Sequence, residues 1–222
     1  QINGEPVRRA APGRRTAVAL RGVELRVLRR GLALATPGAV ARGAWLDVSV
    51  RVLKSAPSAI MNGQVLRLLF GTTEVGARLR LLEQAELRPG EHALAQLRCV
   101  QDVAVPAREP FILRFASPPL TVAGGMVLSP ASRRRRGQVP AHLKHLAAGE
   151  LDHALGAMLR DAGLAAARLD EISRVLGLAG DRLTEWLPDS AVRLGRGIVL
   201  HETAWRGLRQ IMLSRLAELH RS

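Results

Sequence analysis

Polarity alternates with a period of two through the first 130 residues of the chain. Leu46, Val48, Val50 and Val52 share one parity, and Asp47, Ser49 and Arg51 the other. Ala93, Ala95, Leu97 and Cys99 repeat the pattern, as do Phe111, Leu113 and Phe115. Such alternation predicts half-buried strands. Turn signals separate them at regular distances: Pro12-Gly13, Pro37-Gly38, Asn62-Gly63, Pro89-Gly90, Pro118-Pro119 and Gly124-Gly125. Many short strands so punctuated predict antiparallel barrels, whose closure removes exposed edges. The segment Thr36–Gly43 reads as a linker between an incomplete first barrel and a complete second one, and missing strands would leave a sheet edge near residues 1–35 that could pair with another chain.

The period changes in the second half. Residues 131–139 contain Arg133, Arg134, Arg135 and Arg136 in succession, and Pro140 closes the stretch. Beyond it, Leu151, Leu155, Met158 and Leu159 mark one helix, and Leu169, Ile172, Val175 and Leu176 a second. Gly180–Pro188 supplies a short third. Ala191–Leu200 reads as a hairpin turning at Gly195-Arg196-Gly197. Trp205, Leu208, Met212, Leu216 and Leu219 then line one face of a long helix. Three helices and a hairpin in this order predict a winged helix. The expected organisation is a partial barrel at 1–39, a second barrel at 40–130, an arginine-rich linker at 131–139, a winged helix at 140–202 and a connecting helix at 203–222. The fold class is thus multidomain, β then α+β.

Composition narrows the partners. The 222 residues carry a formal charge of +14, from 33 basic and 19 acidic side chains, which favours a polyanion. Only Lys54 and Lys144 are lysines; the choice of arginine reflects a GC-rich coding bias, but the excess over acids does not. Residues 1–130 hold 18 basic and 9 acidic side chains, so the charge concentrates on the barrel portion. The apolar runs fall far below the roughly 20 residues of a membrane span, and no signal pattern opens the chain, so a membrane partner is not expected. One cysteine, Cys99, suits a reducing compartment, which makes the cytoplasm the expected location. The sequence opens on Gln1-Ile2-Asn3-Gly4, which reads as the middle of a strand and turn, so it is expected to be a fragment.

No catalytic constellation can be assembled. There is no phosphate-binding loop, and Gly124-Gly125 lacks the lysine such a loop needs. His142, His145 and His153 have no cysteine nearby and read as solvated or capping residues. Cys99 shares parity with Leu97 and reads as a buried, inert thiol. The chain is therefore not expected to be an enzyme. Arginines are the better candidates. Arg78 and Arg80 share a face of one strand, and Arg51, Arg98 and Arg114 alternate with apolar positions on others; such a surface could grip phosphates or simply be solvated. Arg133, Arg134, Arg135 and Arg136 could add phosphate contacts or be only a soluble linker. The candidate recognition helix, Gly180–Leu187, sets Arg182 against Asp181 and Glu185, which suits a spacer better than a reader of duplex DNA. Arg193 and Arg196 on the wing could contribute modestly. A DNA-binding regulator with a β-barrel sensing domain is the alternative, and a purely structural interaction module is a third reading.

Several motifs in order resemble the bacterial selenocysteine-specific elongation factors, relatives of elongation factor Tu. They are Ala11-Pro12-Gly13-Arg14-Arg15 with the expected strand Thr16–Leu20, Arg30-Gly31, Phe70-Gly71-Thr72-Thr73-Glu74-Val75 with Ala77-Arg78-Leu79, Pro110–Arg114 leading to Ser117-Pro118, and Thr121–Pro130. The resemblance implies Tu-like barrels, with 1–39 ending domain II and 40–130 forming domain III, ahead of a first winged helix. It implies a parent with a GTPase domain holding GTP and magnesium, absent from this sequence, so no cofactor is expected here. The implied partners are selenocysteinyl-tRNA and, through other parts of the parent, the ribosome and a message hairpin beside a recoded stop codon; the implied state is a monomer. Arg15 matches the arginine of the family's selenocysteine pocket, where a cation that does not titrate suits an ionised selenol. Pro12 departs from the alanine common before that glycine.

Overall fold

A computed structural model describes residues 9–37, 39–132, 139–178, 180–195 and 197–220. The predicted alternation forms a closed antiparallel barrel. Its six strands are β1 (Ala41–Val52), β3 (Val65–Phe70), β4 (Thr73–Leu81), β6 (His92–Val105), β7 (Pro110–Arg114) and β8 (Thr121–Ser132), in the order β1-β6-β4-β3-β7-β8. A two-stranded pair, β2 (Ile60–Met61) with β5 (Glu86–Leu87), lies beside it. The inward parity is the predicted one: Leu46, Val48, Val50 and Val52 are buried with Ala95, Leu97, Cys99, Phe111 and Leu113.

Three expectations fail on this half. Thr16–Leu20 is not a strand, and among the described residues before Ala41 the only regular element is a 3-10 turn at Leu25–Val27. A strand needs a ladder to satisfy its backbone, and none of the described residues of this segment joins one, so among them no sheet edge is present. Gly124-Gly125 is not a turn but lies inside β8. A Cβ on Gly125 would stand 2.0 Å from the Ser49 carbonyl oxygen of β1 and 2.8 Å from Cζ of Phe111 in β7, so glycine is required by close approach rather than by chain reversal. Asp47 has the predicted outward parity yet is fully buried; it accepts a 2.8 Å hydrogen bond from Nε2 of Gln96, itself fully buried.

The second half packs on the barrel. The helical unit comprises α1 (Ala141–Ala148), α2 (Leu151–Ala162), β9 (Ala167–Arg168), α3 (Leu169–Leu176), α4 (Gly180–Glu185), β10 (Ala191–Arg193), β11 (Ile198–His201) and α5 (Glu202–Leu219). Its strands form one antiparallel sheet in the order β10-β11-β9, and Leu155, Leu159, Ile172, Leu176, Leu183 and Val199 make its core. Both α1 and α3 pack on β8, and α1 also reaches β6. Lys144 of α1 pairs with Glu83 of the barrel at 3.4 Å, and a Cβ on Gly177 would sit 3.3 Å from that of Ala107. Helix α1, with Leu143 as its one buried residue, and the short β9 have no counterpart in the sequence pattern. The long helix α5 carries the apolar stripe expected of it, but has no buried residue.

Cys99 is 3% exposed, and burial pushes its thiol up to about 12. At pH 8 only about one thiol in ten thousand is then ionised, so alkylation of the folded chain is expected to be slower by orders of magnitude than in denaturant. Stopped labelling with a maleimide at pH 8 checks this. The unfolded chain ionises this thiol from about 9, the folded one only near 12, so stability that is present below pH 9 is lost as pH rises toward 12.

Candidate nucleic-acid interface

Cross-strand register, which parity alone does not give, decides which arginines meet. Arg98 of β6 lies directly opposite Trp45 of β1 on one side and Arg78 of β4 on the other. The row Trp45–Arg98–Arg78 thus runs across three neighbouring strands on the barrel's outer face. Arg80 stands two residues along β4, opposite Gln96. Arg78 and Arg98 are exposed, Arg80 half-buried.

The turn before β3 completes the site. Gly63 takes a φ of +87°, open to glycine at little cost, and its carbonyl accepts a 2.7 Å hydrogen bond from Nη1 of Arg78. The Asn62 side-chain oxygen accepts from the Leu81 N–H at 3.1 Å, which fixes the amide so that its NH₂ remains a donor. The Arg98 guanidinium carbon lies 5.7 Å from the Trp45 ring centroid, a cation–π contact near the outer limit of about 6 Å. These residues line a groove of about 320 Å³ whose lining carries three arginines and no carboxylate.

That composition sets it apart from two larger grooves. One, about 610 Å³, lies between the Arg26–Ala33 segment and the barrel, and mixes Arg26, Arg29, Arg30 and Arg42 with Glu74 and Asp102. The other, about 630 Å³ and between the barrel and α1, mixes Arg51, His92 and Lys144 with Glu83. Like charges set directly opposite on adjacent strands repel. Arg78 and Arg98 are such a pair, and no acid in their groove offsets them; an anion would.

The remaining candidates are scattered. Arg51 is exposed on β1 opposite His92, far along the strand from Trp45. Arg114 of β7 faces Arg67 of β3 and donates from Nη2 to the Pro119 carbonyl at 2.7 Å, while its buried Nε has no partner. Arg67 lies 4.0 Å from Glu74. Arg15 follows a turn at Gly13 and is exposed, and it lines none of the grooves described above. Arg133, Arg134, Arg135, Arg136 and Arg196 lie outside the described residues. Arg193 donates to the Thr184 carbonyl at 3.1 Å, closing β10 onto α4. Three of the six histidines bond to carboxylates: His142 to Asp161 at 3.1 Å, His145 to Glu150 at 2.7 Å and His153 to Asp152 at 3.2 Å. Among the described residues no cluster of His, Cys, Asp or Glu could hold a metal ion, and no helix is long and apolar enough to cross a membrane.

Trp45 and Asn62 escaped the sequence reading. Trp45 shares the outward parity of Asp47, Ser49 and Arg51, which is a signal, since an outward tryptophan is unusual in a chain with six aromatic side chains of the Phe and Trp types. Two motifs of the resemblance also turn out to be joined: Arg30 Nε donates to the Thr72 carbonyl at 3.2 Å, and Thr73 Oγ1 to the Gly31 carbonyl at 3.0 Å.

Comparison with known proteins agrees with the architecture. Residues 47–134 match the family described as the selenocysteine-specific elongation factor, beta-barrel domain. A curated selenocysteine-specific elongation factor from Desulfomicrobium baculatum is 34% identical over 165 residues, which cover 73% of this chain and 26% of that protein. The chain thus spans about a quarter of its relative's length. A crystal structure of the bacterial selenocysteine-specific elongation factor EF-Sec superposes with a TM-score of 0.62 at 16% identity, over 89% of this chain and 31% of that one, and so shows likeness of fold. The chain is therefore similar to the selenocysteine-specific elongation factors, and its closed barrel matches their β-barrel domain.

Proposed function

We propose that this chain contributes the RNA-gripping part of a GTP-dependent factor that delivers selenocysteinyl-tRNA to the ribosome at a recoded stop codon. The observation that carries the proposal is the groove in which Arg78 and Arg98 stand directly opposite each other, with Arg80 beside them and no carboxylate in the lining. A-form RNA is held mostly through phosphate and 2′-OH groups. Clustered guanidiniums that keep their charge at any accessible pH suit that task. The order of helices, hairpin and short strand after the barrel supports reading the second half as a winged helix acting as a spacer. Glu185 is exposed on its candidate recognition helix, and Arg193, though exposed, donates to the Thr184 carbonyl of that same helix. That speaks against the reading as a DNA-binding regulator. Arg15 is our candidate for the cation facing a selenol, and a monomer is the expected state.

A fluorescence-anisotropy titration across several salt concentrations tests this, using a minihelix of the acceptor and T arms of selenocysteine tRNA, a message hairpin, and duplex DNA of equal charge. The minihelix is expected to bind most tightly. The Arg78→Gln/Arg98→Gln variant should weaken it at every salt concentration and lower the salt slope by about one per arginine removed. Preference for duplex DNA, or unchanged binding by the variant, would overturn the assignment.

A further inference from the structure

A patch that only gripped phosphates would have no use for an aromatic wall. Here Trp45 forms one, in direct register with Arg98. It is half-buried, so part of its ring surface stays accessible. Its contact with Arg98, at 5.7 Å, is loose for a cation–π pair. A phosphate drawn between Arg78 and Arg98 would pull the Arg98 guanidinium toward itself and uncover the indole face. The groove's volume, about 320 Å³, lies at the lower end of the range of small-molecule sites, about 300–1,000 Å³. The Asn62 NH₂ adds a neutral donor at the rim.

We infer that the groove is a nucleotide site: one unpaired nucleotide of a bound RNA places its phosphate between Arg78 and Arg98 and stacks its base on Trp45. This rests on the RNA reading above and deepens it, because the barrel then responds to a base that has left the helix as well as to duplex shape. Stacking on an aromatic ring is tolerant of sequence, since every base has a π face, so no particular base is required.

Three RNA hairpins test the inference against the full chain: one fully paired, one with a single-nucleotide bulge, and one in which that bulged nucleotide is abasic. The latter two carry the same phosphates and differ only in the base. The bulged RNA is expected to bind about tenfold tighter than its abasic twin, the scale of one base–aromatic stack, and to quench intrinsic fluorescence. Trp45→Ala should abolish the tenfold difference, Trp45→Phe should keep most of it while losing the quench, and Arg78→Gln should weaken all three RNAs alike. Equal binding of the bulged and abasic RNAs, or a difference that survives Trp45→Ala in a folded variant, would refute the stacking site while leaving the phosphate grip standing. Failure of all three to bind would remove the RNA reading as well.

Discussion

Gly125→Ala should all but dismantle the barrel. The added Cβ would lie 2.0 Å from a backbone carbonyl oxygen of β1 and 2.8 Å from the Phe111 ring, and β1 cannot retreat because it is hydrogen-bonded to β6 on its other side. Overpacking against backbone belongs at the severe end of single substitutions, at about 3–5 kcal/mol. For a chain of this size that is about 10 °C or more in midpoint, read by thermal melts followed by circular dichroism. Gly124→Ala is the internal comparison. Its Cβ would meet the Phe111 carbonyl oxygen at 3.2 Å, so a shift of a few tenths of an ångström suffices and a much smaller loss is expected. Equal melting of the two variants would show that β1 and β8 are not held as closely as described.

The second large effect is expected at Asp47. This carboxylate is fully buried on the barrel's outer side and takes the Gln96 amide at 2.8 Å. Asp47→Ala would leave that buried amide without its acceptor, at about 2–3 kcal/mol. Asp47→Asn keeps the shape and an acceptor oxygen and should cost less than half as much. Urea denaturation of the three proteins gives the comparison. An Asp47→Ala variant as stable as the parent would mean that the Asp47–Gln96 hydrogen bond contributes nothing to stability.

The alternating strands were legible because parity is a local property. Leu46 to Val52 can be assigned to the inside without knowing any partner. What parity could not supply was register and cover. Arg78 and Arg98 lie 33 and 53 residues beyond Trp45 in the sequence, and only pairing with β6 makes them one site. Asp47 looked solvent-facing because nothing in its own strand announces that it will pair with a buried Gln96 on β6. Glycine pairs carry two meanings, chain reversal and close approach, and Gly124-Gly125 has the second. Thr16–Leu20 has strand-like composition, but composition does not provide a neighbour. The order of helices α2 to α4, hairpin and α5 was readable from amphipathic periods, whereas α1, with a single buried leucine, was too weakly patterned to stand out.

The row of register that begins at Arg80 continues through Gln96 and Asp47 to Ser129, crossing from β4 by way of β6 and β1 to β8. Each step is one strand spacing, about 4.8 Å, so the row measures about 14 Å around the wall. One end borders the arginine groove and the other lies in the strand on which α1 and α3 rest. Hydrogen-bonded strands, not a tether, therefore set the interval between them. The barrel serves as a ruler: the helices stand at a fixed offset from the groove.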